Sequence, residues 1–432
     1  MSMSDEEFEV LASDDEPLAE FAGNGDTVAV SFVSGLRDPA LVVDSGAVSV
    51  PDSLNRAGLS AIVNQLLDEK VDHYEKMPLD IVVAGRLLRS SLSHHCLKHQ
   101  VSRERVLQVK YVALAPAPSP EPSLPQPDWV SAISVSHDVV LTGAYDGTVR
   151  LHQSTQQVQH KAHRRAIKDM ACFKRKTAAE ALDFATVGKD RVARVWRLQD
   201  NKISELASVI DTRGSLECVA TAPRASKRLF AVGGFSNAIT VAVVTEGESV
   251  KEGDVRSENA KLRHELSGHS AEVTSLCWPD ELALYSASAD HSVRLWDPRH
   301  GMSSRTWHCS RAVNALDFNA RASLLATAHN DGVRVWDARA HEAGDVAQVT
   351  LRHSQSQWTS AVSWAPASQS EYLLASCSYA GDVKVWDVRT TVPLHSLKAH
   401  DDKALCLVWH SSALYSGGAD KQLCRHRFAE AK

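Results

Sequence analysis

One pattern recurs down most of this chain and limits what it can become. Its clearest copy is "LSGHSAEVTSLCWPDELALYSASADHSVRLWDPR", Leu266–Arg299. A Gly-His pair opens it. An alternating strand, a strand of small residues, a turn aspartate and Trp-Asp follow. Six more stretches align with it between Asp128 and the C-terminus, at a period of roughly 43 residues. A unit that short cannot bury both faces of its own sheet. Seven standing side by side in a closed ring can, and closure protects the strand edges. The pattern therefore predicts a mainly β chain, with a seven-bladed propeller of four-stranded blades over 128–432.

Within a blade of this WD-repeat type, the histidine, a strand Ser or Thr, the turn Asp and the Trp are spaced to form one hydrogen-bonded set. The spacing selects His163, Asp190 and Trp196 with Thr186 as the hydroxyl, and His269, Asp290 and Trp296 with Ser286 or Ser288. Asp331, Trp336 and Trp386 hold matching positions in units five and six. Other units are incomplete. Unit three has Asn237 and Val243 where Asp and Trp belong, unit six has Ala380 for the Asp, and units one and seven have His152 and His426 for the Trp. The chain runs out near the third strand of unit seven. Its outer strand must come from elsewhere, and the segment before Trp129 is the nearest source, although its prolines make a poor strand. The charged run "TEGESVKEGDVRSENAKL", residues 245–262, reads as a long loop leaving blade three.

Ahead of the repeats lie three other regions. Residues 1–26 are acidic and without apolar periodicity, which predicts disorder. Residues 27–112 read strand, strand, helix, strand, short helix, strand. In "SLNRAGLSAIVNQLLDEK", Leu59, Ile62, Val63, Leu66 and Leu67 fall at helical spacing, with Asp52 or Ser53 as the expected cap. The strands are expected in "TVAVSFVS", "PALVVDSGAVSVP", "LDIVVAGRLL" (bent or ended near Gly85) and "RVLQVKYV". This is the order of a ubiquitin-like α+β domain. Residues 113–127, "ALAPAPSPEPSLPQP" with Pro before Asp128, read as a polyproline spacer between the two domains.

Chemistry is sparse. There is no phosphate loop, no nucleophile elbow and no convergent pair of carboxylates, so no enzyme is predicted and no catalytic or cofactor-binding residue is assigned. His163, His269 and His400 fall at repeat positions and read as blade hydrogen-bonders. "HHCLKH", His94–His99, lies on one short turn without the second ligand group that zinc needs. No apolar run is long enough to cross a bilayer, and the acidic start does not read as a secretory leader. The eight cysteines, none in a C-x-x-C pair, are expected as reduced, mostly buried thiols of the cytosol or nucleus. A net charge of −6 gives no global basic field for nucleic acid. "KRK" at Lys174–Lys176 is the one local candidate, and direct RNA contact is left open.

The block with "GLSAIVNQLL" and "PLDIVVAGRLLRSSL", joined to "DWVSAISV" and "LTGAYDGTVRL", resembles the WD-repeat subunit family of the pescadillo and block-of-proliferation complex. The resemblance implies a Notchless-like ubiquitin-like domain and an assembly factor for the large ribosomal subunit, acting on the pre-60S particle in nucleolus and nucleoplasm during pre-rRNA processing. It implies a propeller that docks a block-of-proliferation-type subunit, which also binds pescadillo. It further implies a ubiquitin-like domain grasped by midasin, an AAA-type ATPase with a metal-ion-dependent adhesion site. "SRERVLQVKY" places Glu104 where that family presents an acidic residue to the partner's magnesium. Glu104 is thus the one candidate metal ligand, acting in trans, and the chain needs no cofactor of its own. Without the resemblance Glu104 reads as an ordinary surface charge. A WD-repeat adaptor in ubiquitin signalling is the alternative function. The block runs into "VALAPAPSP" rather than Gly-Gly, so conjugation through its tail is excluded.

Overall fold

A computed structural model describes residues 26–428, apart from 37–40, 44–45, 72–78, 114–117, 138, 153–156, 175–180, 212, 224–227, 253–254, 281, 340–346, 354–356, 367–368 and 390–392. The acidic stretch 1–25 and two residues of the Lys174–Lys176 run lie outside the described residues. The chain divides into two compact units, Met1–Ala115 and Pro116–Lys432.

In the first unit, β1 (Thr27–Ser34) is followed by β2 (Val48–Pro51), α1 (Arg56–Lys70), β3 (Leu79–Val83), β4 (Arg86–Leu87), α2 (Leu92–Lys98) and β5 (Leu107–Ala113). The sheet order is β2-β1-β5-β3-β4, with β5 central and parallel to β1. This is the ubiquitin-like arrangement. Leu59, Val63 and Leu67 of α1 are buried against Val30, Ile81, Val109 and Tyr111 of the sheet, and Ile62 and Leu66 pack at the margin. Two details differ from the sequence reading, and a third, the break near Gly85, agrees with it. The cap of α1 is Asn55, whose side chain accepts the Gly58 N–H at 3.1 Å, rather than Asp52 or Ser53. Among the described residues of the second strand region, only Val48–Pro51 form a strand. Its earlier part is fastened by Tyr111, whose hydroxyl donates to Leu41 O and accepts from Val43 N, both at 2.8 Å. Finally, the bend at Gly85 is a turn with Ala84 and Gly85 both at positive φ, and it returns as the short β4.

The second unit holds seven antiparallel blades. Their inner strands begin at Val130, Ile167, Leu216, Val273, Ala315, Thr359 and Ala404. Each inner strand touches the next, and the one starting at Ala404 touches the one starting at Val130, so the ring is closed.

Blade seven obtains its outer strand from the proline-rich segment. Ser119–Pro120 and Leu124–Pro125 pair with Gln422–Arg427. Residues 119–125 are thus part of the propeller rather than of a spacer. The prolines are tolerated because this strand is an edge, where a missing N–H faces outward. The N–H groups that do face the blade are used: Glu121 donates to Arg425 O at 2.9 Å and Gln126 to Lys421 O at 2.7 Å. Glu121 also meets Arg425 and Arg427, each at 3.1 Å.

Residues 245–262 are not a loop. Ile239–Glu252 and Val255–Leu266 form a long hairpin that pairs with Lys202–Asp211 and fuses blades two and three into one eight-stranded sheet. Every second position supports the pairing: Val255, Ser257 and the nearby Ala260 are buried among the charges.

Adjacent inner strands share no ladder, so side chains join them. Ser131 Oγ donates to Ile167 O at 2.7 Å, Thr274 Oγ1 to Val313 O at 2.6 Å and Ser360 Oγ to Ala404 O at 2.6 Å. Asn314 donates to Thr359 O at 3.0 Å. Asp169 accepts the Val219 N–H at 2.9 Å, and Asp317 accepts that of Trp364 at 2.8 Å. The remaining two junctions carry weaker thiol donors: Cys218 to Val273 O and Cys406 to Val130 O, both at 3.5 Å. All eight cysteines are free thiols.

Replacing residues 118–126 with a Gly/Ser segment of equal length removes the fourth strand of blade seven. At about 0.5–1.5 kcal/mol per lost hydrogen bond, the propeller should lose about 2–5 kcal/mol in urea unfolding and aggregate more readily through the bared edge.

Candidate functional site

Two sets of side chains were singled out by the sequence, and they behave differently. The first is internal to the blades. In blade four the Trp296 indole N–H donates to Ser286 Oγ at 2.8 Å, and Ser286 Oγ lies 2.7 Å from His269 Nε2. His269 Nδ1 lies 2.8 Å from Asp290 Oδ2. An ionised carboxylate only accepts, so Nδ1 carries the proton and the serine hydroxyl donates to the bare Nε2. Burial holds His269 below its ordinary range against the pull of Asp290. Burial alone would raise Asp290, but hydrogen bonds from Ser292, the Ser270 N–H and His269 outweigh it and bring the carboxylate down to about 2. Ser288, the other hydroxyl considered, donates to Ala271 O instead.

Blade two repeats the set: Trp196 to Thr186 at 2.8 Å, Thr186 to His163 at 2.8 Å, and His163 to Asp190 at 2.9 Å. Blade seven joins His400 to Ser416 at 2.9 Å and to Asp420 at 3.0 Å.

Blades five and six rearrange it. Trp386 donates to Ser376 at 2.8 Å, and Ser376 meets His353 at 2.6 Å, but the carboxylate is Asp382 at 3.4 Å, two residues past Ala380. His353 was missed because Ala380 stands where the turn aspartate marks the other sets. Gly381, at φ +84°, makes that turn without one. In blade five Trp336 donates to Thr327 at 2.8 Å, yet the histidine is His329 of the same strand as Thr327. His329 Nδ1 donates to Ala312 O at 3.0 Å. Asp331 therefore has no place in the set. It pairs with Arg334 at 3.0 Å and Arg311 at 3.2 Å at the surface. Burial, with Arg334 beside it, brings His329 down to about 4, so it serves as a neutral ring. In blade one His152 stands in for the tryptophan and lies 2.9 Å from Thr142.

The second set is the loop before β5. Val101 packs on the core at one end and Leu107 is buried in it at the other. Between them Ser102–Val106 are exposed. The loop leaves α2 through Gln100 at φ +55° and is tied back by the Val101 N–H to Cys96 O at 2.9 Å. Arg103 is drawn sideways to Asp52 at 3.0 Å. The Glu104 N–H donates to Ser102 Oγ at 3.4 Å. The Glu104 carboxylate is exposed and, among the described residues, has no partner. Neither flanking arginine claims it.

The "HHCLKH" run is divided between core and surface. His95 and Cys96 are buried, His95 lies 3.4 Å from Val83 O, and His94 faces outward. Among the described residues no three His, Cys, Asp or Glu side chains converge as a metal would require.

Comparison with known proteins fits both units. Residues 28–96 match the NLE (NUC135) domain, and residues 119–153, 260–297, 301–337 and 347–387 match the WD domain, G-beta repeat. The chain is similar along most of its length to curated proteins named "Ribosome biogenesis protein WDR12 homolog". That of Oryza sativa subsp. japonica is 34% identical, covering 92% of this chain and 95% of the relative. That of Chlamydomonas reinhardtii is 34% identical, covering 92% and 96%, and that of Arabidopsis thaliana 33%, covering 91% and 95%. The chain belongs to the WDR12 family of ribosome biogenesis proteins. The role of this WDR12-family member therefore lies in ribosome assembly, in a family of non-catalytic kind. Blades two, three and seven escape the repeat match. Blade two carries an insertion, and blade three lacks both Asp and Trp.

Ser286→Ala strands the buried Trp296 N–H, and urea unfolding should show a loss of about 1–3 kcal/mol, the cost of an unpaired buried polar group. Because the folded Asp290 carboxylate sits below its unfolded value, its contribution is present above about pH 4 and is lost as pH falls through about 2. Asp290→Asn should flatten that acid limb of the stability-versus-pH curve while leaving the curve between pH ~6 and ~8 parallel to the parent.

Proposed function

We propose that this WDR12-family member is a scaffold for assembly of the large ribosomal subunit, working in the nucleolus and nucleoplasm on the pre-60S particle. Its propeller docks a block-of-proliferation-type subunit that also holds pescadillo. Its ubiquitin-like domain is the handle by which a midasin-type AAA ATPase removes the complex. The handle works through Glu104. Magnesium prefers six oxygen ligands in near-octahedral order. An adhesion site that supplies some of them and leaves one to water can take a carboxylate from another chain in that place.

The observation that carries this reading is the state of Glu104: exposed, without a partner among the described residues, and beside an arginine already committed to Asp52. A carboxylate locked to a guanidinium would have to break that contact first. A free one brings full negative charge against a divalent ion in a partly dry interface, where attraction is strong. The mounting suits a load. The loop feeds β5, the central strand, which is hydrogen-bonded to β1 on one side and β3 on the other. Force applied at Glu104 is therefore spread across the sheet rather than peeling an edge.

Glu104→Ala should leave stability within about 0.5 kcal/mol of the parent, as a surface change does. It should reduce magnesium-dependent capture by the ATPase by at least about tenfold, the scale of losing a metal-site contact. Glu104→Asp should also fail, because the carboxylate is one methylene short. Pull-downs with and without EDTA read both. Capture by Glu104→Ala that remains full and EDTA-sensitive would sink the proposal.

A further inference from the structure

The propeller carries an aromatic and basic surface that none of the foregoing uses. In every blade but five, the residue before the inner strand accepts a backbone bond from the residue just after the second strand. Tyr145 N–H donates to Trp129 O at 3.0 Å, Lys189 to Ala166 at 3.0 Å, Tyr379 to Trp358 at 3.0 Å and Ala419 to Lys403 at 2.8 Å. All these residues therefore lie on one face of the ring, in blades one, two, six and seven, which are consecutive around the closure. Trp129 packs on Tyr145 at 5.2 Å, and the Lys189 ammonium sits 5.6 Å from the Tyr145 ring. Trp358 stacks on Tyr379 at 5.9 Å, and the Lys403 ammonium sits 5.5 Å from the Tyr379 ring. The same device, an aromatic pair overhung by a lysine from the next blade, occurs twice. Both tyrosines lie near enough to Lys168 to act on its charge, so the two devices converge. Lys168 itself is paired with Glu217 at 2.8 Å.

The aromatic groups are too exposed to be core. Trp358 is 52% exposed, Tyr379 40% and Trp129 39%, and Phe235 of blade three, 55% exposed, extends the patch. Lys189 and Lys403 are exposed and, among the described residues, have no carboxylate partner. Bared tryptophans beside lysines that have no carboxylate partner are the makings of a binding hot spot.

The geometry points to this face as a docking site for a peptide segment of a partner protein that carries a large apolar side chain flanked by carboxylates. The apolar group covers Trp358 or Trp129 and the carboxylates meet Lys403 and Lys189. The charges decide against a polyanion. Asp401 and Asp402 precede Lys403, and Asp128 precedes Trp129, so carboxylates interrupt the cations of this face, Arg164, Arg165, Lys189 and Lys403. A nucleic-acid strand needs a continuous row of cations along its phosphates; a short acidic peptide needs two. The inference rests neither on Glu104 nor on the identity of the propeller's partner.

The test pans the full chain against a display library of random 12-residue peptides, then measures the selected peptides, and a 12-nucleotide oligouridine, by fluorescence anisotropy. Enrichment of peptides with an aromatic or large aliphatic residue among acids is expected. Their affinity should fall about 30-fold or more for Trp358→Ala, the scale of a hot-spot loss, and about tenfold for Lys403→Glu. Met302→Ala, at an exposed methionine of blade four, should change nothing. No enrichment, enrichment of basic or uncharged peptides, indifference to both Trp358→Ala and Lys403→Glu, or tighter binding of oligouridine would each overturn it. Lys189→Glu, a surface change that cannot unfold the ring, guards against a Trp358 variant that misfolds.

Discussion

Neighbouring blades meet edge to edge at their inner strands, where no ladder joins them, and the ring stands on what replaces it. Hydroxyls, an amide, two buried carboxylates and two thiols reach from one inner strand to the backbone of the next. Each bond is modest, about 1 kcal/mol net, but the donors and acceptors it satisfies are buried, and leaving them bare would cost more. The carboxylates show the strain of that role. Burial pushes Asp169 up to about 7 and Asp317 to about 6, although each accepts two backbone N–H groups. Both groups bind a proton more tightly folded than unfolded, so their share of stability is fullest in mild acid and declines toward neutrality. It runs opposite to that of Asp290 and Asp382, which hydrogen bonds bring down to about 2 against burial.

The same principle explains why blades without the full motif still form. The histidine, hydroxyl and tryptophan set locks the outer part of a blade, but the inner strand is held by its neighbours. Blade three lacks Asp and Trp, and it is instead welded to blade two through the hairpin that pairs with Lys202–Asp211. Blade five draws its histidine from its own second strand. A ring can absorb local defects that a free-standing sheet could not, because each blade borrows two neighbours.

Function divides along the same line. The blades spend many of their titratable groups on one another, and among the described residues no three His, Cys, Asp or Glu side chains converge as a metal would require. What remains available sits at loop ends: Glu104 before a central strand, and the aromatic and lysine residues where inner strands begin. Glu104 has no partner among the described residues, and Lys189 and Lys403 have no carboxylate there, which leaves their charge for something else to meet.

The period of the repeat, the stripe Leu59, Val63 and Leu67, and the Trp196 and Trp296 spacings were legible in the linear sequence, because they depend on alternation and on contacts within one blade or one helix. The resemblance carried by the two joined domains directed attention to Glu104; its spacing alone did not. Other features needed the folded ring. Proline argued against a strand at 119–125, and only the presence of the open edge of Gln422–Arg427, some 300 residues later, makes one worthwhile. The charges of 245–262 suggested a loop until Lys202–Asp211 offered a pairing partner. Asp382 replaced Ala380, and His329 replaced a loop histidine, because a hydrogen-bond set needs atoms at the right distance rather than residues at the right position. Local order is written in the chain. Which edges meet, and which charges are left without a partner, is decided when the ring closes, since both depend on residues far apart in sequence.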